Sequence, residues 1–131
     1  MKIFHWNIIG NGKINLVFLH GWGIDSRIWN CIIKELDIHF KLYIIDLPGF
    51  GKNLHLKSMS LNEIIYLLHF YLPKNAIWLG WSIGGLIVNQ LALKYPNYIL
   101  AIITISSSPC FLKKKIGLEL KKKYYKIFII I

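Results

Sequence analysis

Between Ala76 and Lys94 the chain passes from Ala76-Ile77-Trp78-Leu79, through Gly80-Trp81-Ser82-Ile83-Gly84, into a segment that reads as a helix from Ile83. A short buried strand followed at once by a helix leaves no room for an ordinary loop. The connection must be one sharp turn, with glycines at 80 and 84 allowing the backbone to bend tightly and the two elements to approach closely. A serine at the apex of such a turn stands clear of both elements with its hydroxyl exposed. The first amides of the following helix point toward any oxyanion that forms beside it.

Other segments repeat the strand-then-helix theme. Ile3 to Ile8 predicts a half-exposed strand, and Gly10-Asn11-Gly12 is a hairpin turn signal. Ile14 to Leu19 is almost wholly apolar, as expected of a strand covered on both faces, and His20-Gly21-Trp22-Gly23 ends it. Ser26 is placed to cap a helix whose apolar positions Trp29, Ile32, Ile33 and Leu36 keep helical spacing. Leu42 to Ile45 predicts a further buried strand, ending at Asp46-Leu47-Pro48-Gly49-Phe50-Gly51. Ser60-Leu61-Asn62-Glu63 is a capping box that opens a helix to Leu72, stopped by Pro73. Ile99 to Ile105 is the last clear strand and leaves at Ser106-Ser107-Ser108-Pro109.

This alternation predicts an α/β architecture, a mostly parallel sheet with helices on both faces. In such sheets function gathers at the carboxyl ends of the strands. The segments 20–23, 46–51, Ser82 and 106–109 all follow strands and should meet at one edge.

Composition narrows the function classes. The 131 residues are 55% hydrophobic, enough for one domain with a real core. The net charge of +10 would suggest nucleic acid, but +6 of it lies in residues 113–131, which hold seven lysines and one acid. Arg27 is the sole arginine, the residue type best suited to bidentate phosphate contacts. No nucleic-acid partner is therefore expected. Residues 76–93 are apolar, yet Ser82, Asn89, Gln90 and three glycines interrupt them, so a buried strand–turn–helix is expected and a membrane span is not. Cys31 and Cys110 are too few for a disulfide framework, and no secretory signal opens the chain, so a cytoplasmic setting is expected. The domain reading is a core over 1–112 and a lysine-rich tail over 113–131. Neither cofactor nor metal is expected, since His5, His39, His55 and His69 are scattered without ligand spacing.

Three segments together resemble the α/β-hydrolase superfamily: Phe18-Leu19-His20-Gly21-Trp22-Gly23, Asp46-Leu47-Pro48-Gly49-Phe50-Gly51, and Ile77-Trp78-Leu79-Gly80-Trp81-Ser82-Ile83-Gly84-Gly85. Trp22, Trp81 and Ser106-Ser107-Ser108-Pro109-Cys110-Phe111 make the chain similar, more narrowly, to the serine carboxylesterases of biotin synthesis. Those enzymes cleave the methyl ester of a pimeloyl chain held on acyl carrier protein. The resemblance covers residues 2–111. It implies that Ser82 is the nucleophile, that the backbone N–H groups of Trp22 and Ile83 form the oxyanion hole, and that the Trp22 side chain walls the acyl pocket. It also implies acyl carrier protein as the partner.

The sequence departs from that family after Ser106. No aspartate follows Asp46, and all five histidines (5, 20, 39, 55, 69) precede Ser82, whereas the family order is serine, acid, histidine. The triad acid and histidine are not in the chain, and the lid and C-terminal strands of the fold are expected to be absent. A serine hydroxyl without an adjacent base is a weak nucleophile; losing triad members costs on the order of 10⁴- to 10⁶-fold in rate. The expectation is therefore an N-terminal portion of a carboxylesterase with impaired activity. Two other readings stand beside it: a non-catalytic remnant or fragment that needs a complementing chain, and a basic binding module acting through its tail. His20 could substitute as base by proximity, although the family uses this position structurally. Asp46, lying before Pro48 and Gly49, is read as a turn-capping carboxylate rather than a catalytic acid. A sheet ending at Ile99–Ile105 would leave an open edge through which self-association is expected.

Overall fold

The computed structural model describes residues 4–108 and the backbone of 128–130. The elements are β1 (Trp6–Ile9), β2 (Ile14–Leu19), α1 (Asn30–Leu36), β3 (Phe40–Ile45), α2 (Leu61–Tyr71), β4 (Ala76–Trp81), α3 (Ile83–Lys94), β5 (Ile99–Ile105) and β6 (Phe128–Ile130). Short 3₁₀ turns at Ser26–Trp29, Gly51–Asn53 and Pro96–Tyr98 join them. The strands form one sheet in the order β1-β3-β2-β4-β5-β6, with β1 antiparallel to β3 and every other pair parallel.

That order explains where the helices sit. The chain steps from β2 to β3 in one direction and from β3 over β2 to β4 in the other. Right-handed crossovers then put α1 on one face and α2 with α3 on the opposite face. Burial along β2 follows. Leu16 and Phe18 pack with Trp29, Leu42, Ile44 and Leu79. Val17 and Leu19 join Leu68, Trp78, Ile87 and Leu91. Both faces of β2 are covered, which is why the segment is apolar without alternation.

Parallel register brings the strand ends level. Leu19 pairs with Ile45 and with Gly80, and Trp81 pairs with Ile105. The loops that follow these strands therefore start side by side, as expected from sequence. The capping box also forms as read: Ser60 Oγ accepts from Glu63 N–H, and the Glu63 carboxylate accepts from Ser60 N–H at 2.7 Å.

Three expectations change. Gly10-Asn11-Gly12 makes no hairpin, because β3 lies between β1 and β2. The glycines serve close approach instead: a Cβ at either position would strike backbone of Asp37, His39 or Phe40. Ser26 is not the cap of its helical segment. Asp25 takes that role, accepting from Arg27 N–H, while the Ser26 N–H is drawn to Asp46 Oδ1 at 2.8 Å. Nor is β5 the edge of the sheet, since Phe128–Ile130, within the segment read as a tail, pairs with Ile102–Thr104. Lys113 to Lys126 lie outside the described residues, as do Pro109, Cys110 and Phe111.

Leu68, fully buried on α2, is the test of this packing. Leu68→Ala should cost about 2–5 kcal/mol, whereas Phe70→Ala on the exposed side of the same helix should stay within about 0.5 kcal/mol. Urea midpoints at equal m-value would read both.

Candidate active site at the strand ends

Ser82 is held in a conformation that few residues adopt. Its φ of 54° and ψ of −118° fall outside the ordinary regions for an L-residue, and it caps α3 rather than belonging to it. Its hydroxyl makes no capping bond with the helix. The backbone carries the anchoring: Ser82 N–H donates to Ile105 O at 3.0 Å, and Ser82 O accepts from Gly85 N–H at 3.0 Å and Leu86 N–H at 3.3 Å. The glycines at 80 and 84 are required by space. A Cβ at Gly80 would strike the backbone of Gly84 and Gly85, and one at Gly84 would strike the carbonyls of Leu19 and His20. The start of α3 thus rests directly on the end of β2.

His20 and Asp46 build the floor beneath. The His20 ring is fully buried; Nε2 accepts from Leu47 N–H at 2.9 Å, and Nδ1 lies 2.7 Å from Gly21 O. An amide can only donate, so Nε2 is the bare nitrogen and Nδ1 carries the proton, bonding to Gly21 O. Both nitrogens are committed to backbone, which closes the substitute-base role for His20 and leaves the structural one. Asp46 also behaves as read. Its Oδ1 accepts from Ser26 N–H and its Oδ2 from Lys52 N–H at 2.9 Å, which ties the loop after β3 to the loop after β2.

Trp22 stands above this floor, 74% exposed, with its ring edge-on to Phe50 at 5.2 Å. It does border an apolar cavity of about 310 Å³, lined by Leu47, Phe50, Met59, Ile83 and Ile87 among others. Trp22 and Ile83 thus line one cavity, and Ser82, which precedes Ile83, is not among the residues that line it. Sequence reasoning missed Phe50, which touches both Trp22 and His20, although it lies within one of the three family-like segments. Met59 and Ile87 carry no local signal beyond hydrophobicity.

A larger depression of about 460 Å³ lies beyond the Asp46 loop and includes Asn7, Asp25, Arg27 and Lys52. Four of its polar side chains are paired: Arg27 Nε donates to Asp25 Oδ1 and its NH2 group to Asp25 Oδ2, and Lys52 Nζ donates to Asn7 at 3.2 Å. It contains no residue of the Ser82 turn. Among the described residues no group of three or more His, Cys, Asp or Glu is arranged to hold a metal, and no helix is long and apolar enough to cross a membrane.

The sequence model of the alpha/beta hydrolase fold matches residues 14–125. The chain belongs to that family. It is 49% identical over 111 residues to the pimeloyl-acyl-carrier-protein methyl ester esterase of Yersinia enterocolitica, an alignment covering 85% of this chain and 43% of that protein. To the esterase of the same name from Wigglesworthia glossinidia brevipalpis it is 48% identical over 123 residues, covering 94% and 48%. A hydrolase from Oleispira antarctica superposes with a TM-score of 0.72 at 25% identity, over 86% of this chain and 44% of the other. The chain spans about half the length of the curated relatives it matches.

Burial depresses the pKa of His20 below its ordinary 6.5, outweighing the Gly21 carbonyl, Asp46 and Asp25, which act the other way. Above pH 6.5 the folded and unfolded rings are both neutral. Below it the unfolded ring binds a proton that the folded ring resists, so stability falls with pH until the folded pKa is passed. His69, lowered by burial and by Lys74 and Lys94, contributes with the same sign. An NMR titration separates the two, and a His20 midpoint at or above 6.5 would contradict the buried neutral ring.

Proposed function

We propose that this chain supplies the nucleophile, the oxyanion donors and the acyl pocket of a carboxylic ester hydrolase. Its substrate is the methyl ester of a pimeloyl chain borne on acyl carrier protein. The observation that carries this reading is the strained Ser82, φ 54°, at a strand–helix turn whose next residue, Ile83, lines an apolar cavity together with Trp22. Backbone strain of that kind costs on the order of 1–3 kcal/mol and collects at functional sites. The relatives named for the reaction supply the substrate class.

In the proposed reaction Ser82 Oγ adds to the ester carbonyl carbon as its proton passes to a base. The resulting oxyanion sits against the N–H groups of Trp22 and Ile83, where a single donor is worth roughly 10²- to 10³-fold in rate. Collapse of the tetrahedral adduct expels methanol, which takes the proton back from the base. Water then attacks the serine ester in the same way, releasing the carboxylate and restoring Ser82. The acyl chain lies in the cavity beside Trp22, Phe50 and Ile87, where each buried methylene adds about 0.8 kcal/mol.

Among the described residues no histidine hydrogen-bonds Ser82, and both His20 nitrogens are already engaged. The base and its acid partner are accordingly assigned to a further polypeptide segment. The same observation favours a second reading, in which these residues on their own are a non-catalytic scaffold. A fluorophosphonate probe distinguishes the two. The chain should label at Ser82 at a residual rate, on the order of 10⁴-fold below a complete triad, and Ser82→Ala should not label. Absence of any adduct at Ser82, under conditions that label the Yersinia enterocolitica esterase, would leave only the scaffold.

A further inference from the structure

The loop after β5 returns over the Ser82 turn. Ser106 adopts a φ of 46°, a left-handed conformation unusual for serine, and this swings Ser107 back toward α3. Ser107 Oγ then donates to the Ser82 carbonyl at 2.6 Å, the shortest of the three bonds that this oxygen accepts. The fit is close. A Cβ on Gly85 would lie 2.5 Å from both Cβ and Oγ of Ser107, so a glycine is needed for the hydroxyl to reach its place.

The Ser82 carbonyl and the Ile83 N–H belong to one peptide unit. That unit is planar and trans, so its C=O and N–H point in opposite directions and turn together. Fixing the carbonyl from behind fixes the amide in front. A hydrogen bond to the carbonyl also polarises the unit and strengthens its N–H as a donor.

We propose that Ser107 is a positioning residue that aims and polarises the Ile83 amide toward the oxyanion by clamping the Ser82 carbonyl. It touches no reacting atom. The inference rests on the reading of Ser82 as nucleophile and of Ile83 N–H as oxyanion donor. Together with the Ser82 N–H bond to Ile105 O, the clamp places β5 and its loop in control of both backbone sides of the nucleophile.

The test compares Ser107→Ala, Ser107→Thr and Ser107→Cys in the full chain, with fluorophosphonate labelling and backbone NMR. Removing an oxyanion donor outright costs roughly 10²- to 10³-fold, so misdirecting one should slow the maximal labelling rate about 10-fold, with little change in the probe concentration for half-maximal rate. Thr, which keeps the hydroxyl, should restore most of the rate. Cys, a weak donor of similar shape, should behave like Ala and serves if the alanine variant does not fold. Parent-like labelling by both the Ala and Cys variants would overturn the proposal. So would a Thr variant as slow as Ala at unchanged melting temperature. The NMR readout stands apart from reactivity: the Ser82 carbonyl ¹³C and Ile83 amide ¹⁵N signals should shift in Ala and Cys but not in Thr. If the parent does not label at all, the nucleophile assignment has failed, and the unmoved or moved signals still decide the clamp.

Discussion

The architecture around the site depends on one close contact, the seating of the first turn of α3 on the end of β2. At Gly84 the helix backbone lies against the Leu19 and His20 carbonyls, with no room for even a methyl group. Because of that contact the chain cannot leave β4 gradually. It must reverse within the single residue Ser82, in a φ/ψ region that is costly for any side chain. Such strain persists only where the surroundings over-determine it. Here they do so through the Ile105 carbonyl on one side of Ser82 and three donors on the other.

A second layer of constraint keeps the neighbouring loops from relaxing away. Asn53 is fully buried; its side chain pairs with both backbone groups of His5 and with Asp46 O at 2.6 Å. Asp46 in turn holds Ser26 and Lys52, and His20 holds Leu47. These are polar side chains bound to backbone, so the loops after β2 and β3 are stapled to each other and to the residue that precedes β1. Every such group is costly to bury unpaired, which makes the network cooperative. Leu47, whose N–H is held by His20, also lines the cavity beside Trp22, so the network and the apolar wall adjoin. Phe50, which stands between Trp22 and His20, is where the two meet.

How much of this could be read from sequence depends on whether a feature has one physical cause or several. β2 was legible because a strand buried on both faces must be apolar throughout, and nothing else about Ile14–Leu19 competes with that. The Ser82 turn was legible because glycines at 80 and 84, set between a strand and a helix, answer to little besides a sharp reversal of the backbone. Gly10 and Gly12 were not, since glycine answers equally to a tight turn and to a backbone passing close by. Ser26 and Asp25 are both good caps, and the choice was made by Asp46, twenty residues away in sequence. β6 had no alternation to reveal it, and it lies within the lysine-rich segment read as a tail. Ser107 was hidden in a run of three serines; only the fold says which hydroxyl meets the Ser82 carbonyl.

The proposed nucleophile, oxyanion donors and acyl pocket all fall at the ends of β2, β4 and β5, and their geometry is completed by bonds among those same elements. None of these bonds involves a histidine acting on Ser82. On the proposed reading, the electrostatic part of an acyl-transfer site is preorganised here without the proton-transfer part. Because oxyanion stabilisation and binding retain roughly 10³- to 10⁴-fold of rate over water when a triad is disabled, such an arrangement is chemically meaningful even alone. A base brought in later would find the proposed nucleophile already aimed. It would add its contribution to a geometry it did not have to build.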